Sequence, residues 1–231
     1  MADLLFPQTL LEDRMPSDAL GFFENTLLND PDRLIKTHEQ LVKGGGPGKR
    51  GLGHLTRSGL FMLCAAWERY VELLLIESVD FLASGASNTD ELPLDVQKTL
   101  GAAVKNDKHE LAALKMAGDG WRKLLCELAS AKAASLNTPK SGPLDVLFLQ
   151  FIGLNLLSGK WSAGATVVDQ FVTDRGEIAH KGSGAAYIHF QRLVEARDMI
   201  YQVVVETDNA TVDHLKAVLP SKNVAWKKRG L

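Results

Sequence analysis

An arginine and a histidine five positions apart, Arg175 and His180, offer the clearest chemistry in the sequence. They lie in the segment Asp174-Arg-Gly-Glu-Ile-Ala-His-Lys-Gly182, where polar residues follow an apolar helical run and glycines come after the histidine. Cleavage of RNA by its own 2′-OH needs a base, an acid and positive charge on the phosphate. A histidine suits the proton transfers because its ordinary pKa lies near neutrality, and an arginine suits the phosphate because it is always charged. This chemistry requires no metal.

The spacing of the pair limits how it can act. Residues five apart on a regular helix lie about 140° apart around its axis. Arg175 and His180 therefore share a site only if the helix breaks between them, which Gly176 favours, or if two chains of a symmetric dimer contribute to one site. Spacing alone favours a simpler interpretation, in which the arginine forms a salt bridge and the histidine lies on the helix dipole.

The other chemistry-bearing residues do not form a second site. No HExxH zinc motif, CxxC pair or GxSxG elbow is present, so no metal or cofactor is expected. The Gly-rich segment 44–53 lacks a GK[ST] ending and follows no strand, so it predicts a mobile linker in which Lys49 and Arg50 contact an RNA backbone. The five remaining histidines are predicted on polar faces or in loops: His38, His54, His109, His189 and His214.

Composition describes an ordinary globular chain. Of 231 residues, 45% are hydrophobic and 23% charged, and the formal net charge is −2, which excludes a strongly basic nucleic-acid carrier. Cys64 and Cys126 sit in apolar helical patterns and are predicted to be free thiols, typical of a reducing compartment. The N-terminus does not resemble a signal peptide and no apolar run could span a membrane, so we expect a cytoplasmic protein.

Apolar residues at helical spacing predict an all-α bundle with antiparallel long helices. Residues 144–157 fit a buried helix or a short strand, and we favour the helix because no partner strand is visible. One domain is expected over 18–219, after an N-terminal arm, 1–17, and before a basic, mobile tail, 220–231. The predicted helices are 18–43 (two short helices or one kinked), 54–83, 94–104, 107–134, 163–179, 187–206 and 209–219.

Two stretches resemble the HEPN superfamily of helical proteins. One is Asp174–Gly182, and the other is Leu55–Glu72, which carries an early arginine and then Trp67-Glu-Arg-Tyr70. The sequence looks most like the RiboL-PSP-like and "MAE-like" prokaryotic HEPN domains, roughly over residues 50–205. The resemblance implies a HEPN-like antiparallel bundle with additional peripheral helices. It also implies a homodimer with a composite active site and a metal-independent endoribonuclease, of the kind found as toxins and phage-defence effectors.

The resemblance also implies roles for individual residues. Arg175 would hold the scissile phosphate, and His180 would act as general acid or base. Glu68 would orient one of them from the facing helix, although a solvated or salt-bridged glutamate is an equal alternative. Arg57 would bind RNA or buttress the site, unless it forms a structural salt bridge. Lys181, next to the motif, is assigned with Lys49 and Arg50 to RNA binding.

Three further positions bear on these roles. Trp67 and Tyr70 are predicted to be core residues rather than base-stacking platforms. The residue after the motif arginine is usually Asn, Asp or His, but here it is Gly176. A related branch carries a tyrosine two residues after the histidine; Gly182 stands there, so modification at such a tyrosine is not expected.

Two other functions remain open. A non-catalytic dimeric helical interaction or RNA-binding module is favoured by Gly176 and by the near-neutral net charge. Binding of a nucleotide or small molecule in a helical cleft has the Gly-rich segment behind it. If the chain is a ribonuclease, an antitoxin or regulatory protein is expected, because an unrestrained ribonuclease harms its host.

Overall fold

A computed structural model describes residues 15–44, 49–223 and 225–230, without the side chains of Lys49 and Arg50. Within these ranges the chain forms helices and no strand, which confirms the all-α prediction. The α-helices are α1 (Asp18–Phe22), α2 (Asn29–Lys43), α3 (Gly53–Gly85), α4 (Leu94–Asn106), α5 (Gly120–Ala133), α6 (Ser141–Ile152), α7 (Ala165–Lys181) and α8 (Phe190–Val218). A turn of π-helix, Phe23–Leu27, joins α1 to α2, so the helical run predicted over 18–43 is divided before Asn29 rather than within Asn29–Asp32.

Helix α3 is the centre of the fold. It is 33 residues long and packs against α1, α2, α5, α6, α7 and α8. Apolar side chains on several of its faces explain this position, since a helix that is apolar nearly all round is buried. Trp67 Nε1 donates to the carbonyl of Pro139 at 3.0 Å, and the Tyr70 hydroxyl donates to the carbonyl of Val204 at 3.0 Å. Both rings are fully buried, which confirms them as core residues.

The single helix predicted over 107–134 is wrong in its first half. Only a 3₁₀ turn, Ala112–Met116, forms before α5 begins at Gly120. Leu111 and Leu114, expected on a buried face, are 58% and 64% exposed. Gly118 adopts φ of 54°, a left-handed conformation that interrupts a helix.

The two C-terminal helices predicted over 187–219 are one continuous helix, α8, of 29 residues. Thr207 and Asp208 interrupt the apolar pattern, yet both are fully buried. The Thr207 hydroxyl accepts a hydrogen bond from Trp161 Nε1 at 2.8 Å, and Asp208 accepts one from the Ser17 hydroxyl. Buried polar residues with partners are compatible with a core-facing helix, so polarity here did not mark a helix end.

Helix α6 ends at Ile152, and the helix predicted over 144–157 is thereby confirmed in its first part. Gly153 stops it with φ of 78°, and a Cβ there would lie 2.3 Å from the Pro93 side chain. A larger residue would be strained and would also collide with Pro93, so glycine is required at this turn.

The last described segment of the chain, 225–230, is fastened more tightly than predicted. Most of the predicted arm, 1–17, lies outside the described residues. The basic tail was expected to be mobile, but Trp226 is 3% exposed and Arg229 exchanges two 2.9 Å hydrogen bonds with Asn209. The backbone N–H of Lys227 also donates to the carbonyl of Met15 at 3.3 Å. Residues 225–230 therefore belong to the folded body.

Two bulk predictions can be compared with the described ranges. Cys64 is buried, Cys126 is partly buried, and both are free thiols, as predicted. Among the helices that the structure describes, none combines the length and the apolar character needed to cross a membrane.

Candidate functional site

Helix α7 carries the Arg175–His180 motif without a break. It runs from Ala165 through Lys181, so the helix break that Gly176 favoured is not found. The helix ends at Gly182, which has φ of 52° and whose N–H bonds to the carbonyl of Ile178. At regular helical geometry Arg175 and His180 are therefore about 140° apart around the axis and about 7.5 Å apart along it.

Arg175 is held between two elements of the bundle. Its Nη2 lies 2.8 Å from Oε2 of Glu68 on α3 and 3.1 Å from the carbonyl oxygen of Asn137, in the connector between α5 and α6. Both charged side chains are 23% exposed, so the ion pair is largely removed from water. The structure thus brings together the arginine and the glutamate that the resemblance paired, and the role of Glu68 in orienting Arg175 stays a prediction.

The surroundings of Glu68 act on its pKa in opposite directions, and the net effect is an increase. Burial raises the pKa of Glu68, the nearby Arg175 charge opposes this, and Glu72 one turn along α3 adds to the increase. Burial also raises the pKa of the Cys64 thiol one turn before Glu68, against a hydrogen bond with Arg175. Arg175 is therefore the cation that opposes protonation of this half-buried carboxylate. Sequence reasoning missed Asn137, which acts through its backbone, and Cys64, which read as an ordinary core residue.

His180 lies in the last turn of α7 and is exposed. Among the residues that the structure describes, no side chain or backbone group forms a hydrogen bond or ion pair with its ring. The adjacent Lys181 ammonium lies 3.4 Å from the Glu177 carboxylate, and both side chains are about half exposed. The imidazole is thus open to a ligand, whereas Arg175 is already engaged.

Arg57 reaches the same end of α7 from α3. With Ile178 and Gly182 it lines a shallow cleft of about 300 Å³. Its guanidinium also lies against Gly53, because a Cβ on that glycine would be 3.2 Å from Arg57 Nη1. Of the other predicted RNA-binding residues, Lys181 immediately precedes Gly182, which lines this cleft. The side chains of Lys49 and Arg50 lie outside the described part of the protein.

The prediction that the other five histidines lie on polar faces or in loops is wrong for His38. His38 is 3% exposed, and its ring stacks on Phe190 with centroids 4.3 Å apart and planes 7° apart. His214 Nε2 lies 2.8 Å from the carbonyl oxygen of Ile152 and links α8 to the end of α6. Over residues 15–44, 49–223 and 225–230, no three His, Cys, Asp or Glu side chains converge in a group that could hold a metal ion.

Comparison with known proteins identifies the fold family. A family model described as RiboL-PSP-HEPN matches residues 27–213, which includes α2 to α7 and most of α8. No curated protein and no solved structure gives a significant match. The matched region contains the Arg175–Glu68 ion pair and His180, and it covers well over half of the chain. The chain therefore belongs to the RiboL-PSP-HEPN family.

Proposed function

We propose that this protein is a metal-independent endoribonuclease whose active site uses Arg175 and His180. The observation that carries the proposal is the state of the two side chains. Arg175 forms an ion pair with Glu68 at 2.8 Å, whereas His180 on the same helix is exposed. A fixed cation for the phosphate and an accessible imidazole for proton transfer are among the groups that RNA cleavage by its own 2′-OH requires.

The chemistry assigns a role to each group. A His180 imidazole takes the proton of the 2′-OH as that oxygen attacks phosphorus, or donates a proton to the 5′-oxygen as the P–O5′ bond breaks. Arg175 stabilises the negative charge that grows on the phosphate oxygens, and its planar fork suits two of them at once. The products are a 2′,3′-cyclic phosphate and a 5′-OH. Glu68 is a positioning residue that fixes the guanidinium.

A second copy of the chain would complete the site. Because α7 is continuous, its Arg175 and His180 diverge, and one phosphate is reached more easily by residues of two copies. Apolar side chains exposed beside the motif support this arrangement: Phe61 is 38% exposed and Met62 37%, and both border the cleft of Arg57 and Ile178. We propose a homodimer that buries this surface and brings two α7 ends together.

The direct test is cleavage of RNA by the full chain in the presence of a chelator. Wild type should cut single-stranded RNA and leave 2′,3′-cyclic phosphate ends, and His180→Ala and Arg175→Ala should each lose activity by about 100-fold or more. His109→Ala is a matched control, because His109 is also exposed but lies between α4 and α5. Arg197→Ala is the matched control for Arg175→Ala, because Arg197 is another partly buried arginine in an ion pair, 3.0 Å from Asp32. Intact RNA with folded wild type would contradict the proposal.

A non-catalytic dimeric interaction or RNA-binding module is the second candidate. It is favoured by the two hydrogen bonds of Arg175, to Glu68 and to the carbonyl of Asn137. An arginine that only joins α7 to the rest of the bundle would form the same contacts. This alternative predicts partner or RNA binding that His180→Ala leaves intact, together with no cleavage by wild type.

The biological setting follows from the activity. A ribonuclease of this family acting on cellular RNA in the cytoplasm would serve as a toxin or a phage-defence effector and would be restrained by an antitoxin or regulatory protein. Induced expression of wild type should stop growth, and His180→Ala should not. Equal growth with both proteins at equal expression would contradict this role.

A further inference from the structure

A second cleft, of about 1010 Å³, is larger than the cleft that Arg57 lines. It opens between the C-terminal half of α2 and the segment that leads into α8. Tyr187, His189 and Phe190 line one side, and His38 and Lys43 line the other. Its size is at the upper end of the range for small-ligand pockets, which is ample for a nucleobase with its sugar.

The aromatic residues of this cleft divide into a floor and a rim. His38 is buried and stacks in parallel on Phe190 at 4.3 Å, which fixes the start of α8 against α2. Tyr187 and His189 are exposed, and their rings meet edge to face at 4.9 Å and 86°. Tyr187 and His189 thus present two exposed aromatic rings beside the buried His38–Phe190 stack, and aromatic stacking is the usual way in which proteins hold unpaired bases.

This rim is connected to the proposed active site through Gly53. A Cβ on Gly53 would lie 3.1 Å from the Tyr187 ring and 3.2 Å from Arg57 Nη1, so both side chains lie close to the same glycine. Arg57 in turn lines the smaller cleft with Ile178 and Gly182, at the end of α7 that carries His180. Tyr187 and Arg57 are therefore neighbours at Gly53, and the cleft that Arg57 lines reaches the end of α7, the helix that carries His180.

We infer that the cleft between α2 and residues 187–190 binds a nucleobase of a single-stranded RNA, stacked on Tyr187, with the adjoining phosphate on Arg57. The inference rests on the proposed function for the identity of the ligand. Base faces fit aromatic rings, and phosphates fit the arginine fork. Lys43 adds positive charge at the mouth of the cleft, and Glu39 and Gln191 supply polar groups at the edge of the base. A duplex keeps its bases stacked, so single strands are the substrate class.

The test separates base stacking from charge and from cleavage. Binding is measured by fluorescence anisotropy on the full chain with two probes: a short 2′-O-methylated RNA, which lacks the attacking hydroxyl, and an abasic phosphodiester spacer of equal length. Tyr187→Ala should weaken binding of the RNA about 5- to 100-fold, the range that one base–aromatic stack contributes. Its affinity for the abasic spacer should not change, and Tyr187→Phe should bind RNA like wild type.

Phe22→Ala is the matched control, because Phe22 is an aromatic residue of similar exposure, 42% against 37% for Tyr187, and lies on α1 outside the cleft. It should leave both affinities unchanged, and melting curves should show that every variant is folded. The inference is overturned if Tyr187→Ala weakens both probes equally or neither, or if wild type binds RNA no more tightly than spacer. If the expected binding pattern is found but unmodified RNA stays intact, the base site stands and the proposed cleavage fails.

Discussion

Arg175 on α7 and Glu68 on α3 form an ion pair with 2.8 Å between Nη2 and Oε2, and this pair joins the motif helix to the central helix of the bundle. Each side chain is 23% exposed, so each charge depends on its partner for stabilisation more than a charge in a surface ion pair does. The two residues are therefore coupled in stability as well as in the proposed chemistry.

Arg175→Ala should destabilise the protein in a pH-dependent way. The substitution leaves Glu68 half-buried without its cation, which raises a pKa that burial has already raised. A carboxyl whose folded pKa exceeds its unfolded value contributes stability at low pH and loses it as pH rises. The loss should be about 1–2 kcal/mol near pH 8 and much smaller near pH 5. Urea unfolding at both pH values measures it.

The double variant Arg175→Ala/Glu68→Gln provides the control for this effect. Glutamine carries no charge, so the double variant should show no such difference between the two pH values. An equal loss at both pH values for Arg175→Ala alone would mean that the ion pair contributes only through packing.

Gly176→Asn should increase cleavage by the proposed ribonuclease. The substitution supplies the polar residue that usually follows the motif arginine, and a Cβ at Gly176 would meet no heavy atom within 4 Å. Gly176→Ala is the matched control, because it removes the helix-weakening glycine, adding about 1 kcal/mol of helix stability, without adding a polar group. Single-turnover cleavage should be faster for Asn than for Ala or wild type. Equal rates for Asn and Ala would show that a polar group here is not required.

Two glycine-to-alanine substitutions should have opposite effects on stability. Gly101 lies on α4, where a Cβ meets nothing within 4 Å, so Gly101→Ala should add about 1 kcal/mol of helix propensity. At Gly120 a Cβ would lie 2.4 Å from the carbonyl oxygen of Lys115, which only a backbone shift can relieve. Gly120→Ala should therefore cost about 1–3 kcal/mol. Thermal unfolding distinguishes the signs, and stabilisation by both would disprove the tight turn before α5.

The buried carboxyls should make the protein less stable as pH rises toward neutrality. Burial raises the pKa of Glu77 from 4.5 to about 7, against hydrogen bonds from the backbone N–H groups of Asp18 and Ala19. Burial likewise raises the pKa of Asp208 from 3.8 to about 6. Because the folded values exceed the unfolded ones, their stabilisation is present at acidic pH and lost through this window.

The contribution of Glu77 can be isolated with Glu77→Gln, which retains an oxygen for both backbone donors. One pKa unit corresponds to about 1.4 kcal/mol, so Glu77 alone should lower the free energy of unfolding by on the order of 3 kcal/mol over its window. Denaturation of wild type and variant from about pH 4.5 to pH 7.5 measures the difference. Parallel pH profiles for the two proteins would contradict the raised pKa.

The helices were predicted correctly where burial of apolar side chains alone determines the structure. In α3 the apolar side chains recur without interruption, and the predicted limits, 54 and 83, fall within two residues of those observed. The apolar pattern was misleading where backbone conformation or tertiary hydrogen bonds also determine the helix limits. Leu111 and Leu114 have helical spacing, but the local backbone bends at Gly118. Thr207 and Asp208 look like a boundary, but each forms a tertiary hydrogen bond inside the bundle, with Trp161 and Ser17.

The candidate site was partly predictable for a related reason. The family resemblance singled out Glu68 on the helix facing the motif, so its place beside Arg175 could be anticipated. The contact of Arg175 with Asn137 could not, because any residue type supplies a backbone carbonyl. Tyr187 was missed because it appeared to begin a helix, whereas α8 starts three residues later and leaves the ring on the cleft.

The hydrogen bond from Lys227 to the carbonyl of Met15 joins the first and last described segments of the chain. Ser17 is bound to Asp208 and Arg229 to Asn209, so neighbouring residues of α8 anchor both segments. Detachment of either of these two segments must therefore break contacts made by the other. Opening of the two segments is one cooperative event, and a protease should cut neither of them separately while α8 remains folded.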